Sequence, residues 1–270
     1  MAGFIMTEFI NRENIINRFI EYTSDYDLSD PKIKLKYDHT FRVANLCERI
    51  AKGNLLSEDD CALAWLTGIL HDIGRFEQVR RYGTFADNKS IDHAQFGADL
   101  LFEDGLFEEY VKKPAIEDEK AYEIYITIKK YTETAIRNHS AYRIEEGLSE
   151  KEQMFCHILR DADKIDILRV NYETPMEDIY NVSTENLKQA LVSEKVKEAF
   201  CKRHAVLRAY KETVVDHLVG HISLTFELVY PISKQIVKEQ GYLDKLLNFK
   251  SDNRQTSEWF AYMKKHIWDE

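Results

Sequence analysis

The chain has 270 residues, with 37 lysine and arginine side chains against 47 aspartate and glutamate side chains, and its formal net charge is −10. This acidic balance disfavours nucleic acid and anionic membranes as partners, although a local basic patch would still accept a small phosphorylated ligand. The sequence contains no run of 18 apolar residues, so we expect no transmembrane helix. Its first residues do not resemble a signal peptide, and its four cysteines form no CxxC pair. We therefore expect a cytoplasmic protein with buried free thiols.

Helical periodicity dominates the sequence, which contains only 4 prolines and 10 glycines. We expect helices at about 8–22, 31–52, 58–71, 92–103, 118–138, 149–172, 183–200, 203–229, 231–249 and 253–268. The predicted N-caps are Asp30, Ser57, Asp92 and Ser149. Residues 73–91 are predicted to form a loop, with a short helical turn inside it as the alternative. These spans predict a single all-α domain over residues 1–270. Within it we expect a helical bundle at about 30–172 and a helical C-terminal layer at about 173–270.

A histidine and an aspartate stand side by side in the segment Leu70-His71-Asp72-Ile73-Gly74-Arg75. Neighbouring residues of a helix point about 100° apart, but they converge where the helix relaxes into a turn, which Gly74 would permit. The apolar run at 62–70 buries the approach to this pair, and buried imidazole and carboxylate groups need polar partners. One cation satisfies both groups. A solvent-exposed helix cap is the alternative interpretation of the dipeptide alone.

More metal-ligand side chains lie on other predicted helices, at His39, His93, His139 and Asp163. Imidazole and carboxylate ligands together suit divalent manganese, iron, nickel, cobalt or zinc. Six protein ligands are too many for one catalytic ion with an open coordination position, and they suit two ions that share a bridging carboxylate. Inward-facing ligands of this kind are common in helical bundles.

The order of these residues resembles a known signature. His39, then His71-Asp72, then Asp163 is similar to the H…HD…D pattern of the HD-domain metal-dependent phosphohydrolases, over about residues 35–170. His93 and His139 resemble the two additional histidines of the dinuclear subset. The HD-GYP cyclic-dinucleotide phosphodiesterases have a similar pattern, but their HHExxDGxGYP stretch is absent from this sequence.

The resemblance implies an all-α bundle with two divalent metal ions. One ion would be held by His39, His71, Asp72 and Asp163, and the second by His93, His139 and the bridging Asp72. The implied reaction is hydrolysis of a phosphomonoester or phosphodiester, in a small nucleotide or another phosphorylated metabolite, by a metal-activated water. Myo-inositol oxygenase and a phosphonate-cleaving oxygenase look similar in the same six ligands. A di-iron oxygenase acting on a small polyol or phosphonate is therefore the alternative.

Candidate substrate contacts follow the His-Asp pair along the chain. The local positive charge of the 73–91 segment favours a phosphorylated substrate, with contacts expected from Arg75, Arg80, Arg81, Tyr82 and Lys89. The candidate catalytic residues are Asp72, Arg75 and Asp166, of which Asp166 lies one turn after Asp163 and could orient a ligand.

The C-terminal region resembles no signature. His217 and His221 have a spacing that can bind zinc, but Leu218 stands where the zinc-protease motif requires glutamate. We interpret both histidines as surface or interface residues. Apolar residues of the region would allow a homodimer face, namely Leu218, Val219, Ile222, Leu224, Phe226, Leu228 and Val229. The complete ligand set disfavours a non-catalytic scaffold, and the net charge disfavours a tRNA-end phosphodiesterase.

Overall fold

The computed structural model describes residues 6–175 and 182–269. Within these ranges the ordered elements are α-helices and short 3-10 helices, without a β-strand, and the predicted all-α class is confirmed. The chain divides into two compact units, Met1–Ala162 and Asp163–Glu270, and the division falls inside one continuous helix. The sequence-based division near residue 172, within a single domain, stays a prediction.

The first unit holds helices α1 to α7 and the beginning of α8. Their bounds are α1 Arg12–Ser24, α2 Pro31–Gly53, α3 Glu58–Leu70, α4 Ile73–Tyr82, α5 His93–Phe102, α6 Phe107–Tyr110, α7 Glu119–Asn138 and α8 Glu150–Glu173. Short 3-10 helices cover Met6–Glu8 and Asp87–Lys89.

Side-chain caps fix where several of these helices begin. The Asp30 carboxylate accepts a backbone N–H bond of 2.8 Å, and Pro31 occupies the first helical position of α2. Asp92 accepts two backbone N–H bonds, of 3.0 and 3.2 Å, at the start of α5. The hydroxyls of Ser57 and Ser149 accept backbone N–H bonds of 3.1 and 3.4 Å from residues three positions later. All four predicted caps are confirmed.

Helix α3 is the centre of the first unit, because every residue from Cys61 to Leu70 is buried. Helix α2 crosses it closely, since a Cβ added at Gly68 would lie 2.6 Å from the Cα of Ala44. A glycine is needed for two backbones to approach this far. The crossing brings His39 of α2 beside His71 at the end of α3, with 5.3 Å between the two ring centroids.

The prediction for 73–91, a loop with a short helical turn as the alternative, is wrong for α4, which is a helix of 10 residues, whereas a short 3-10 helix does occur at Asp87–Lys89. The apolar side chains of Ile73, Phe76 and Val79 are buried along one side of α4. The helix ends at Gly83, whose φ of 63° lies in the left-handed region that favours glycine. Arg80, Arg81 and Tyr82 therefore belong to the last turn of a helix.

Gly74 has a different role from the one expected. It lies inside α4 rather than in a turn, and a Cβ at this position would lie 2.8 Å from the backbone nitrogen of Gly97 in α5 and 2.8 Å from the carbonyl oxygen of His93. The two glycines let α4 and α5 touch along their backbones. This contact places His93, the first residue of α5, close to Asp72, which precedes α4.

The second unit begins within α8 and contains further helices. These are α9 Thr184–Gln189, α10 Glu194–Cys201, α11 Val214–Ser223, α12 Pro231–Gln240, α13 Tyr242–Leu247 and α14 Arg254–His266. Two 3-10 helices cover Arg208–Tyr210 and Leu224–Glu227.

Four expectations for this region need correction. The helix predicted over 183–200 is interrupted between Gln189, where α9 ends, and Glu194, where α10 begins. The continuous helix predicted over 203–229 is wrong, because Thr213 and Asp216 form a capping box that starts α11. The helix predicted over 231–249 divides at Gly241, whose φ is 68°. Cys201 is exposed, although the cysteines Cys47, Cys61 and Cys156 are buried free thiols as expected.

The apolar residues considered for a homodimer face are largely internal. Those buried within the second unit are Leu218, Val219, Ile222 and Leu228. Their area is already removed from water by their own unit, so they stabilise its core. A homodimer stays a prediction.

None of the helices within residues 6–175 and 182–269 combines the length and the apolar character that a membrane crossing needs.

Candidate metal centre

Asp72 lies at the junction of α3 and α4, and its carboxylate is the middle of a buried polar cluster. Its side chain is 2% exposed. The residue has a non-helical backbone conformation, with φ −107° and ψ 18°, which separates the direction of its side chain from that of His71. The expected convergence of the adjacent pair is therefore produced by a one-residue break between two helices.

Four imidazoles surround this carboxylate and divide between its two oxygens. His39 Nε2 and His71 Nε2 lie 3.6 and 3.4 Å from Oδ2. His93 Nε2 and His139 Nε2 lie 3.6 and 3.7 Å from Oδ1. We call Asp72 with these four histidines the Asp72 centre. Its imidazoles come from α2, α5 and the C-terminal ends of α3 and α7.

Backbone and carboxylate acceptors fix the tautomers of three of the rings. His71 Nδ1 donates to the carbonyl oxygen of Gly68 at 2.7 Å, and His139 Nδ1 donates to that of Ile136 at 2.7 Å. His93 Nδ1 donates to both carboxylate oxygens of Asp87, at 3.0 Å each. In a neutral ring the Nε2 atom is then an acceptor. Each of these rings turns a lone pair toward the centre.

The lone pairs need a cation between them. His93 Nε2 and His139 Nε2 are only 3.0 Å apart, although both are acceptors in the tautomers above. His71 Nε2 is buried and has no hydrogen-bond partner in the structure. Buried polar atoms of this kind are rare without a partner, and acceptors facing each other repel. A proton or a metal ion removes both problems.

The distances fit shared metal ligands. Two atoms each about 2.1 Å from a tetrahedral ion are about 3.4 Å apart, longer than an N–H···O hydrogen bond. The separations of 3.4–3.7 Å between the imidazoles and Asp72 are in this range. His71, Asp72 and His139 offer ligand atoms within 4.8 Å of one another. The donor set therefore fits a divalent metal ion.

Lys36 is the cation that the chain itself places on this carboxylate. It lies one turn before His39 on α2, and its ammonium donates to Asp72 Oδ2 at 2.6 Å. Burial raises the pKa of the Asp72 carboxyl, but the charge of Lys36 and the neighbouring His71 outweigh it and hold that pKa well below its ordinary value. The carboxylate therefore stays ionised and remains available as a ligand.

Asp87 is a member of the site that the sequence did not reveal. Besides His93, it accepts hydrogen bonds of 3.0 Å from Arg75 Nη1 and from Gln78 Nε2. Burial and then the charge of Arg75 lower the pKa of His93 to about 4, which keeps its ring neutral and able to bind a metal. A carboxylate on the distal nitrogen of a ligating histidine is a common outer partner at metal sites.

The candidate substrate contacts lie in different settings. Arg75 Nη1 donates to Gln78 Oε1 and to the Phe85 carbonyl at 2.6 and 2.8 Å, so it helps to close the chain after α4. Arg80 and Arg81 each pair with the buried Glu77. Tyr82 and Lys89 are exposed.

The remaining predicted residues belong to the second unit. Asp163 is half-buried, Asp166 is 1% exposed, and both lie on α8. Asp163 is one turn after Arg160, which donates to the carbonyl oxygens of Asn138 and His139 at 2.7 and 3.2 Å. The roles of Asp163 as a ligand and of Asp166 as an orienting residue stay predictions.

Fold and cluster together define an all-helical protein with histidine and aspartate side chains arranged as metal ligands. A family model for the HD domain matches residues 37–170. Residues 37–170 therefore belong to the HD-domain family. No curated protein and no solved structure matches the chain.

Proposed function

We propose that the protein hydrolyses the phosphoester bond of a small phosphorylated metabolite, such as a nucleotide, at a dinuclear metal centre. The observation that supports this most is the division of the four imidazoles between the two oxygens of Asp72. A carboxylate with two imidazoles at each oxygen has the arrangement of a ligand that bridges two ions. The acidic chain favours a small substrate over nucleic acid.

The proposed ligand sets follow this division. One ion would be held by His39, His71 and Asp72, with Asp163 as the predicted fourth ligand. The second ion would be held by His93, His139 and Asp72. The donor chemistry admits divalent manganese, iron, nickel, cobalt and zinc. When bound, such ions lower the pKa of a coordinated water and stabilise negative charge on phosphoryl oxygens.

The chain's own cations supply the phosphate contacts in this proposal. Lys36 Nζ and Arg75 Cζ lie 5.5 and 5.6 Å from the ring centroid of Phe85, so two cations lie near this ring. Both cations also lie beside Asp72, Lys36 at 2.6 Å and Arg75 at 3.7 Å. We assign Lys36 to a phosphoryl oxygen of the substrate, since its ammonium can leave Asp72 once metal ions compensate that carboxylate.

Arg75 has a second role in the proposal. Its Nη1 already meets three acceptors, among them Asp87. It therefore holds the residue that orients His93, and only its remaining N–H groups are candidates for substrate. Contacts from Arg80, Arg81, Tyr82 and Lys89, and the role of Asp166, remain part of the proposal as predicted from the sequence.

The test is the metal content of protein purified without added metal or chelator. We expect close to two ions per chain, with a sharp fall in Asp72→Ala and no change in the exposed control Asp104→Ala. A panel of phosphoesters then identifies the hydrolysed class. Iron in the protein with oxygen uptake and no phosphate release would instead support the di-iron oxygenase. One ion or none, unchanged in Asp72→Ala, would exclude the dinuclear centre.

A further inference from the structure

A second cluster of basic groups lies in the second unit, around Lys211. Its aliphatic chain lies flat against Gly220 of α11, since a Cβ at position 220 would come within 2.6 Å of Lys211 Cε and 2.7 Å of Nζ. His217 and His221 lie four residues apart on α11 and are therefore neighbours on one face of the helix. The charge of Lys211 acts on both imidazoles, so the ammonium group occupies the space left by the missing side chain of Gly220 close to the two rings.

Arg208 adds a second positive charge. It starts the 3-10 helix Arg208–Tyr210, and the backbone N–H of Lys211 bonds to its carbonyl at 3.1 Å. Its charge lowers the pKa of Lys211, His217 and His221 alike, after burial and alongside the repulsion among these groups. We call Arg208, Lys211, His217 and His221 the Lys211 cluster.

Asp216, an acid that acts on both Lys211 and His217, is hydrogen-bonded to other groups. Asp216 Oδ2 accepts hydrogen bonds from the backbone of Glu212 and Thr213 at 2.9 Å each, and from the Ser193 hydroxyl at 2.6 Å. Its Oδ1 accepts the backbone N–H of Ser193 at 2.9 Å. These bonds make the carboxylate a cap of α11 and direct its oxygens toward the amides and the Ser193 hydroxyl. Within residues 6–175 and 182–269 no ion pair of the Lys211 ammonium occurs.

This arrangement determines whether the cluster favours a positively or a negatively charged ligand. Two histidines four residues apart are a familiar pair for zinc, but an ammonium close to them repels a cation. A phosphate group has the opposite charge and several acceptor oxygens for lysine and arginine donors. The cluster is open to solvent at its rim, since Arg208 and His217 are exposed and Lys211 is half-buried.

We propose that the Lys211 cluster is a binding site for a phosphate-class anion. Asn171 of α8 supports it, with His221 Nδ1 at 2.8 Å from its side-chain oxygen. Asp163, the predicted metal ligand on the same helix, is an electrostatic neighbour of His221. The anion is a phosphate group, free or esterified, and the site is independent of the proposed phosphohydrolase reaction.

The test is calorimetric titration of the full-length, metal-stripped chain with inorganic phosphate, in a buffer free of other polyvalent anions. We expect Lys211→Met, which keeps the chain against Gly220 and removes the charge, to weaken binding about 10- to 100-fold. Lys195→Met, an exposed lysine of the same unit, should bind as the wild type does. Gly220→Ala should also weaken binding, because it displaces the ammonium.

Asp72→Ala separates this site from the metal centre. We expect it to bind phosphate as the wild type does while losing metal. Phosphate binding that survives in Lys211→Met and Gly220→Ala, or that is lost in Asp72→Ala alone, would overturn the proposal, as would no binding by the wild type. If phosphate binds as expected but no phosphoester is hydrolysed, the anion site stands and the proposed reaction fails.

Discussion

The two units bury opposite charges among histidines. In the first, the carboxylate of Asp72 has four imidazoles around it and a lysine at 2.6 Å. In the second, the charge of Lys211 acts on two imidazoles, and the nearby Asp216 is hydrogen-bonded to backbone amides. Both clusters contain histidines, so the charge of the central residue determines whether a cation or an anion binds. An anionic centre attracts cations, and a cationic one attracts anions.

The electrostatics of the imidazoles sharpen this contrast. Burial lowers the pKa of His93 in the Asp72 centre and of His221 in the Lys211 cluster. A neutral imidazole suits a metal ion, because its lone pair is available. In the Lys211 cluster neutral rings leave the positive charge on lysine and arginine. Variants that change one central charge therefore test the comparison directly.

The largest expected effect is a gain of stability in Lys211→Met. Burial, then the charge of Arg208, lowers the pKa of Lys211 from its ordinary 10.5 to about 8. The folded state therefore binds this proton less tightly than the unfolded state. The difference corresponds to a cost of about 3 kcal/mol at pH 7. Urea unfolding without phosphate should show Lys211→Met more stable by up to about this amount.

The stability cost of the buried Lys211 charge should depend on pH. The cost is fully present below pH 8, declines as the pH rises from about 8, and is absent above 10.5. The advantage of Lys211→Met should therefore shrink between pH 7 and pH 10. Lys195→Met is the control and should show no such trend. A stability difference independent of pH would contradict a buried charge at position 211.

The second-largest expected effect is a loss of metal affinity in the variant Asp87→Asn. Asparagine keeps a carbonyl acceptor for His93 Nδ1 but removes the charge that polarises the ring. Outer partners of metal-ligating histidines are typically worth about 10- to 100-fold in affinity. Asp104→Asn is the control, because it removes the same charge from an exposed residue outside the Asp72 centre. Equal losses in both variants would point to net charge rather than to the His93 contact.

Gly74→Ala should destabilise the first unit. The new Cβ would meet backbone atoms, the nitrogen of Gly97 and the carbonyl of His93 at 2.8 Å each, and neither can move alone. Forcing an extra methyl group into a packed contact typically costs about 1–3 kcal/mol. Thermal unfolding measures the loss, and metal affinity should fall with it because α5 carries His93. A variant as stable as the wild type would mean that α4 and α5 separate easily.

The residues that could be predicted from the sequence are those recognisable by residue type and by their order along the chain. The histidines of the Asp72 centre stand out because imidazole, carboxylate and their spacing match a known signature. The caps were also predictable, since a cap depends on neighbours within one turn. Helix α4 was missed because its charges and glycine suggested a loop, although Ile73, Phe76 and Val79 follow helical spacing.

Residues that act through distant contacts were not predictable. Asp87 reaches His93 only because the chain after α4 folds back, with Arg75 bonded to the Phe85 carbonyl. Lys36 had one signal, its position a turn before His39, but its contact with Asp72 depends on the α2–α3 crossing at Gly68. The sequence contains no signal for the position of Lys211, because this side chain packs into the space that glycine leaves open at position 220.

Gly220→Ala should have the smallest effect on stability and completes the comparison with Gly74. Its Cβ would meet the far end of a lysine side chain, which can swing into solvent, rather than backbone. Alanine also favours the helix over glycine by about 0.5–1 kcal/mol, so the net change should be near zero or stabilising. Unfolding curves of the two glycine variants provide the measurement. A loss of stability in Gly220→Ala as large as that in Gly74→Ala would contradict this expectation. It would show that the Lys211 side chain cannot move into solvent and is held by contacts besides the one with Gly220.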